Sequence, residues 1–459
     1  MESILSYQWI LIIITGLVFI VLAPLAKHKD QFFNAISQKG KQATTLMLTS
    51  SLVISWIFAK SITNAANLGA SFGLVGGLAY ATYYLSFIVA GVIIYNMRVK
   101  GGFKSIHTFL QHKYGKAAVV LFSILIAFRL FNEVWSNTMV IGSYFGEAGS
   151  QPYYLSIIVF TVLTLVYTLK GGLSSSLLTD AIQMVLFGLL LFMLLIIILP
   201  NGEATTVDYI TSGSWTFAGG LNLMLVAFIQ IFSYPFHDSV MTDRGFISDP
   251  KTTRKSFMLA ALIGFICLTA FSLIGVYAKF KGVEGQAAVE VSKLLGVTAM
   301  LSMNFIMITS AASTLDSAFS SFSKLSVTDL QLFKKVNITN GRISMVIICV
   351  LGTIPIFMGP EILSATTISG TMVLGLAPVF LFWNKKVHPL AFHLSVGSGI
   401  LIGLVFAFGW YPASWHFTDG KYADLLSANL FGTVVSFSLF FLTNALLKFK
   451  TNENEEARP

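Results

Sequence analysis

The stretch TSSLVISWIFAKSITNAANLG, residues 49–69, decides how this chain folds. Its first half is apolar, as in a membrane-spanning helix, but a lysine and a cluster of small polar residues follow soon after Trp56. An intact apolar helix offers no free backbone groups at the middle of a bilayer, whereas an interrupted helix does. The stretch therefore predicts a broken membrane helix beside a binding site.

The composition of the whole chain predicts a membrane protein. Of 459 residues, 55% are hydrophobic and only 11% are charged, too few charges to cover a water-soluble surface. Apolar runs of about 18 residues or more recur from end to end, and each is long enough to cross about 30 Å of hydrocarbon. We predict an all-α integral membrane protein, one transmembrane domain over 1–459, with about thirteen spans. These lie roughly at 7–26, 44–66, 74–97, 117–146, 152–169, 176–199, 216–238, 256–278, 295–323, 343–359, 363–384, 388–411 and 425–447.

The basic excess of the chain predicts its topology. A net charge of +9 is also typical of nucleic-acid binding, but most of the 29 Lys and Arg fall in alternate loops, beginning with residues 27–42 and ending with the tail 448–459. By the positive-inside rule the N-terminus lies outside and the tail in the cytoplasm. We expect a plasma membrane, of the bacterial inner-membrane type, with lipid and no nucleic acid as partner. The opposite side carries Lys279, Lys281, Lys293 and Lys421.

A second apolar helix is interrupted five spans after the first. The stretch QIFSYPFHD, residues 230–238, contains Pro235, which removes a backbone donor and breaks a helix. Two interruptions at this spacing are typical of the first helices of two five-helix repeats. We expect the solute site at these breaks, near residues 57–64 and 232–236, and we expect His237 and Asp238 to be solvated or to line a gate.

The ninth span carries a polar stripe that predicts a cation site. It contains ITSAASTLDSAFSS, residues 308–321, with Asp316 in its middle. Hydroxyl and carboxylate oxygens in a row suit a small hard cation such as Na⁺. Small hydroxyl residues alone would be explained by close helix packing, and the carboxylate favours the cation site. The hydroxyls at i, i+3, i+4 and i+7 share one helical face: Ser310, Ser313, Thr314 and Ser317.

Other ionisable residues inside spans leave alternatives open. Arg129 and Glu133 are spaced i, i+4, which favours a structural ion pair, although Arg129 is also shaped to bind a substrate carboxylate. Asp180 is either an ion ligand or a charge at a helix start. Lys60 either binds an anionic group or pairs with Asp180 or Asp316. The remaining solute-binding candidates are Trp56, Ser61, Asn64 and Tyr234.

No motif for chemistry stands out in the sequence. There is no His-Glu-x-x-His metal pair and no phosphate-binding Gly-rich loop followed by Lys and Ser or Thr. The loops between spans are too short for an ATPase domain. We therefore expect a protein that is not an enzyme, has no cofactor, and transports on an ion gradient.

Three stretches resemble the sodium/solute symporter family, whose members transport sugars, proline, sialic acid or urea. YTLKGGLSSSLLTDAIQ, residues 167–183, is similar to the family's Tyr-Thr-x-x-Gly-Gly-Leu…Thr-Asp-x-x-Gln signature. The serine-rich stretch that ends at Thr328-Asp329 is similar to the eighth core helix. Residues 234–245 are similar to the sixth core helix and the polar-Arg turn after it.

The resemblance implies a leucine-transporter-type fold with a five-plus-five inverted repeat. The core would occupy 44–384, with an extra N-terminal helix at 7–26, two extra C-terminal helices at 388–447 and the tail at 448–459. The implied shared sodium site comprises Ile54, Ile57, Ser310, Ser313 and Thr314. A possible second cation site comprises Asp180, Ser313, Asp316 and Ser317.

Two residues depart from the family pattern. Position 316 is commonly small or a hydroxyl residue in relatives, so Asp316 adds a carboxylate. The ammonium of Lys60 would occupy a cation's place. The function we expect is import of a small polar solute with Na⁺ by alternating access. Proton coupling on the same fold and a transporter-like ligand sensor remain the alternatives.

Overall fold

The computed structural model describes residues 2–36, 42–198 and 204–447. Within these ranges every regular element is helical, which confirms the predicted all-α class. The predicted tail 448–459 lies outside the described residues. The N-terminal half contains α1 (Glu2–Leu22), α2 (Lys29–Asn34), α3 (Thr45–Trp56), α4 (Ala59–Phe72), α5 (Leu74–Ala81), α6 (Ser86–Val99), α7 (Ile106–Tyr114), α8 (Lys116–Gly142), α9 (Gln151–Gly171) and α10 (Leu173–Ile198).

The second half of the chain continues the helical pattern with shorter pieces among long spans. Its α-helices are α11 (Thr206–Thr211), α12 (Asn222–Gln230), α13 (Ser239–Arg244), α14 (Pro250–Phe280), α15 (Ala287–Leu294), α16 (Val297–Lys324), α17 (Ile338–Thr353), α18 (Ser364–Met372), α19 (Leu376–Leu381), α20 (Pro389–Ala407) and α21 (Ala423–Leu446). Short 3-10 or π turns lie at Thr82–Leu85, Phe217–Leu221, Tyr234–His237, Leu325–Asp329, Ile354–Met358 and Ala413–Trp415.

The long helices make this a multi-pass membrane protein. Among the described residues, ten helical segments are long and apolar enough to cross a membrane, and the bent pair α3–α4 makes an eleventh. Two predicted spans, 216–238 and 363–384, contain only shorter helices. The predicted count of thirteen is therefore not confirmed.

The first predicted break lies at Ile57 and Phe58, where α3 and α4 meet at 58°. Ile57 leaves helical geometry at φ −76° and ψ 69°, and Phe58 is extended at ψ 147°. The carbonyl groups that lose their helical partners are satisfied by side chains of other helices, as a helix end inside lipid requires. The Trp56 carbonyl accepts from the Tyr84 hydroxyl, and the Ile57 carbonyl accepts from the Ser310 hydroxyl.

The second predicted break follows α12 and contains Pro235. The chain passes through the turn Tyr234–His237 and enters α13, whose start is capped by Asp238 through a 3.1 Å hydrogen bond from the Met241 amide. The two breaks lie against each other, because the Trp56 indole donates to Asp238 Oδ2 at 3.0 Å. The broken helices thus meet where the sequence predicted a site.

The remaining helices enclose these breaks. α16 packs against α3, α8, α9 and α10, and α14 packs against α3, α4, α5 and α6. α20 and α21 pack together, and α1 packs on α9. The helices beyond the predicted core therefore pair with one another or with one edge of it.

The contact between α4 and α14 depends on glycine. A Cβ atom at Gly275 would lie 1.7 Å from the carbonyl oxygen of Ala66. We predict that Gly275→Val forces these helices apart and lowers the free energy of unfolding by about 1–3 kcal/mol or more. Thermal unfolding in detergent measures this. Gly188→Val is the matched control, since a Cβ at Gly188 meets nothing within 4 Å, and equal losses in both variants would contradict the prediction.

Candidate cation and solute sites

Asp180 stands at the centre of a buried hydroxyl cluster that joins α3, α10 and α16. Ser51 donates to its Oδ2 at 2.5 Å, and Ser313 donates to its Oδ1 at 2.5 Å. The Ser55 hydroxyl lies 3.2 Å from that of Ser313 and 3.3 Å from Asp180 Oδ2. Because α10 begins at Leu173 and Asp180 is fully buried, the helix-start explanation of this carboxylate is wrong.

Asp316 lies next to this cluster and is held by hydroxyls of the signature segment. Tyr167 donates to its Oδ2 at 2.7 Å, and Thr179 at 3.0 Å. Ser176 donates to its Oδ1 at 2.7 Å and also lies 3.5 Å from Asp180. The predicted second cation site is thereby brought together, since Ser317 lies 3.3 Å from Asp316 Oδ1 and 3.1 Å from Ser176.

Arg244 enters the same cluster, although the sequence indicated it only as part of a family-like turn. Its Nη2 donates to Ser317 at 2.7 Å and to Asp180 at 3.2 Å. Its Nε donates to Ser51 at 2.5 Å. The one sequence signal was an arginine directly after the second break. Its neighbour Asp243 points elsewhere and pairs with Lys324 at 2.5 Å.

The residues of the implied shared sodium site line the contact between the first break and α16. The Ser310 hydroxyl contacts the Ile57 carbonyl, and Ile54 is buried one turn earlier on α3. The Thr314 hydroxyl donates to the Ser310 carbonyl at 3.0 Å within its own helix. Hydroxyl and carbonyl oxygens are the donors that a hard cation takes, so this set fits a sodium ion.

Two cations and two anions form a buried network at the predicted solute site. We call Lys60, Arg129, Glu133 and Asp238 the four-charge network. Glu133 lies between Lys60, whose Nζ is 2.8 Å away, and Arg129, with which it forms an ion pair. Arg129 Nη2 continues to Asp238 Oδ2 at 3.2 Å. The exposed fraction of each of these side chains is at most 3%, so they are compensated by one another and not by water.

The four-charge network distinguishes between the alternatives that the sequence left open for Lys60 and Arg129. Lys60 pairs with Glu133, so the hypothesis that it pairs with Asp180 or Asp316 is wrong. Arg129 is occupied by two carboxylates, which favours the structural ion pair over the clamp for a substrate carboxylate. Both His237 and Asp238 are buried, so the solvated alternative is wrong and the gate-lining role stays a prediction.

A cavity of about 370 Å³ opens beside α4, the helix that follows the first break. Asn64 lines it, and the Asn64 amide donates to the Tyr80 hydroxyl at 3.3 Å. The Ser61 hydroxyl lies 3.2 Å from the same phenol. Of the two candidates Asn64 lines the cavity, and Ser61 is linked to it through the shared Tyr80 hydroxyl. Tyr80 was missed because nothing in its local sequence marks it.

Trp56 and Tyr234, the two aromatic candidates for solute binding, belong to a packed aromatic cluster. The ring centroids of Trp56 and Tyr234 are 5.9 Å apart, and Trp56 also packs on Phe87 at 4.8 Å. Arg129 lies over the Tyr234 ring at 4.9 Å. The cluster therefore covers the four-charge network on one side.

Known proteins share both sequence and fold with this chain. Residues 38–216 match the family model of the sodium:solute symporter family. The predicted resemblance to that family is confirmed. Among curated relatives, mouse sodium/glucose cotransporter 4 is 26% identical over 155 residues, which cover 32% of this chain and 22% of the relative. Mouse solute carrier family 5 member 4A is 26% identical over 149 residues, 32% of this chain and 23% of the relative. The match thus spans less than a quarter of these relatives.

Solved transporter structures show the fold. A Na⁺-coupled sialic acid symporter in a substrate-bound outward-open state superimposes with a TM-score of 0.70 at 15% identity, over 97% of this chain and 98% of that chain. Mhp1, a nucleobase-cation-symport-1 family transporter, gives 0.56 at 12% identity, over 91% and 97%. The predicted leucine-transporter-type fold is confirmed.

The four-charge network gives a prediction for stability. Glu133→Gln leaves Lys60 and Arg129 with a single carboxylate, and breaking a buried pair costs about 3–5 kcal/mol. The melting temperature should fall accordingly. Lys60→Met combined with Glu133→Gln should lower the stability by less than the sum of the two single changes. Glu290→Gln is the control, because its pair with Lys293 is solvent-exposed and worth at most about 1 kcal/mol. Similar losses in Glu290→Gln and Glu133→Gln would contradict the role of the network.

Proposed function

We propose that this protein is a sodium-coupled symporter that imports a small polar solute by alternating access. The observation that carries the proposal is the contact of the first break with α16, where the Ile57 carbonyl and the Ser310 hydroxyl meet beside the solute region. The match to the sodium:solute symporter family over residues 38–216 supports it. One curated relative is named as a sodium/glucose cotransporter.

Sodium would bind to oxygens of Ile54, Ile57, Ser310, Ser313 and Thr314. These oxygens belong to α3, to the break that follows it and to α16, so an ion there ties the broken helix to a long intact one. That tie stabilises the arrangement of the break against which the solute rests. Because coupling between two binding sites is reciprocal, solute must strengthen ion binding by the same factor.

The solute would occupy the region of both breaks, near residues 57–64 and 232–236. It would enter through the cavity beside Asn64 and meet the hydroxyls of Ser61 and Tyr80. The charges of the four-charge network balance one another, so the solute faces no unpaired ion. This arrangement favours a polar solute without net charge.

The proposed orientation follows from the charges of the loops. The cavity is lined by Glu361 and Lys421, which lie in loops on the side with few basic residues. By the positive-inside rule these loops face outside, with the N-terminus outside and the C-terminus in the cytoplasm of a plasma membrane, of the bacterial inner-membrane type. The cavity would then open to the exterior, as import requires.

Proton coupling is a second candidate, favoured by the surroundings of Asp316. The Tyr167 hydroxyl reaches both Asp316 and the Ala312 carbonyl, at 2.7 and 3.1 Å. The Thr179 hydroxyl likewise reaches Asp316 and the Ser175 carbonyl, both at 3.0 Å. Either hydroxyl can therefore donate to an ionised carboxylate or turn to its backbone acceptor when the carboxyl group holds a proton.

Sodium binding is tested by thermal unfolding of the purified protein in NaCl and in choline chloride. In the wild type we expect a rise in melting temperature that is specific to Na⁺, because a ligand that binds the folded state stabilises it. The gain in stability is about 2.7 kcal/mol when Na⁺ exceeds its dissociation constant 100-fold. Ser310→Ala should lose the rise. Ser398→Ala, a buried serine between α20 and α21, should keep it. A wild type that responds equally to both salts would refute sodium binding.

Proton coupling is tested in liposomes with a pH gradient and no Na⁺. If protons drive transport through Asp316, a solute chosen because it raises the melting temperature of the protein accumulates under the gradient, and Asp316→Asn abolishes this accumulation. Asp208→Asn is the control, because that carboxylate is exposed and contacts only its own helix start. Accumulation in Asp316→Asn equal to that of the wild type would remove Asp316 from the mechanism.

A further inference from the structure

The predicted second cation site does not fit a free ion. Nη2 of Arg244 lies within hydrogen-bond distance of two of its four residues, Asp180 at 3.2 Å and Ser317 at 2.7 Å. It also lies 3.3 Å from the hydroxyls of Ser55 and Ser176. Oxygens from α3, α10 and α16 therefore already converge on a cation, and that cation is a side chain of this chain.

We propose that Arg244 is the built-in cation of the second site, so that the protein couples transport to one ion, bound at the first site. The inference rests on the proposed symport only in naming the first site. It assigns to Arg244 the place that the sequence had suggested for Lys60, whose ammonium is 2.8 Å from Glu133 instead.

The whole guanidinium is used, which fixes its position. Nε donates to Ser51 at 2.5 Å, and Nη1 donates to the carbonyl of Val240 at 3.3 Å, in the helix that carries Arg244. Nη2 serves the remaining oxygens. A planar guanidinium presents its donors in a rigid fork, so a side chain with this many partners is held firmly.

The charge balance supports the same assignment. Asp180, Asp316 and Arg244 are all fully buried. Arg244 is the ionic partner of Asp180 at 3.2 Å, whereas Asp316 is held by hydroxyl groups. Without Arg244 the Asp180 carboxylate would be buried with no cation beside it, which is costly away from water. A second free cation placed beside the guanidinium would be repelled, since like charges at contact distance interact strongly where the dielectric constant is low.

The second cation site also differs from the first in the groups that a bound cation would have to displace. At the first site the contacts join the Ile57 carbonyl and the hydroxyls of Ser310 and Ser313, with no cationic side chain among their contacts in the described residues. At the second site an ion could bind only in place of the Arg244 guanidinium. The two sites are thus unequal, although α3 and α16 contribute to both.

The test is a Na⁺ titration of thermal stability on the purified full-length protein. In the wild type, stability should rise with the logarithm of the Na⁺ concentration, with the slope expected for about one bound ion. Arg244→Gln removes the positive charge and should steepen the response toward two ions, and Asp180→Asn in that background should remove the gain. Arg244→Lys, which keeps a cation, should retain the single-ion slope. Arg98→Gln is the matched control, because Arg98 binds the Gly245 and Ser248 carbonyls beside the cluster and should leave the slope unchanged.

Each outcome decides the inference. A wild type that binds two ions overturns it, whether or not Arg244→Gln folds, while leaving sodium symport intact. If the wild type ignores Na⁺, the symport proposal fails. The comparison with Arg244→Gln then decides: a newly gained response to Na⁺ supports the built-in cation, and no response overturns it.

Discussion

Compensation of buried charge is the constraint on which the rest of this structure depends. Where two membrane helices break, ionisable side chains enter a region without water, and each must find its partner within the protein. The four-charge network meets this need at one side of the breaks. At the other side, Arg244 meets it for Asp180, and hydroxyl groups hold Asp316. The positions of α3, α8, α10, α13 and α16 relative to one another follow from these pairings.

Two short segments take part in both charge clusters. On α3, Ser51 and Ser55 contact Arg244, whereas Trp56, one residue later, contacts Asp238. The segment Asp238–Arg244 supplies one ion to each cluster, at its two ends. A displacement of either segment therefore changes the solute region and the cation region together, which is what coupled binding requires of a structure.

The sequence predicted the local features and missed the distant pairings. The breaks at residues 57–58 and 231–238 were readable, because a lysine, small polar residues and Pro235 interrupt apolar runs. The hydroxyl stripe on α16 was readable from its helical spacing. The contact of Arg244 with Ser51 could not be predicted from the sequence, because the two residues are 193 positions apart and periodicity carries no information on such contacts. The pairing of Lys60 with Glu133 was missed for the same reason, and the interruption of span 363–384 was missed because that segment showed only as an apolar run.

The neutrality of the four-charge network has an electrical consequence. A group of two cations and two anions that moves as a unit through the membrane field displaces no net charge. Voltage does work of about 2.3 kcal/mol per elementary charge for every 100 mV crossed, and it can act only on charges that are not cancelled locally. In the proposed symport, rearrangement of the solute region would thus be insensitive to the membrane potential, and the potential would act on the transported ion and solute.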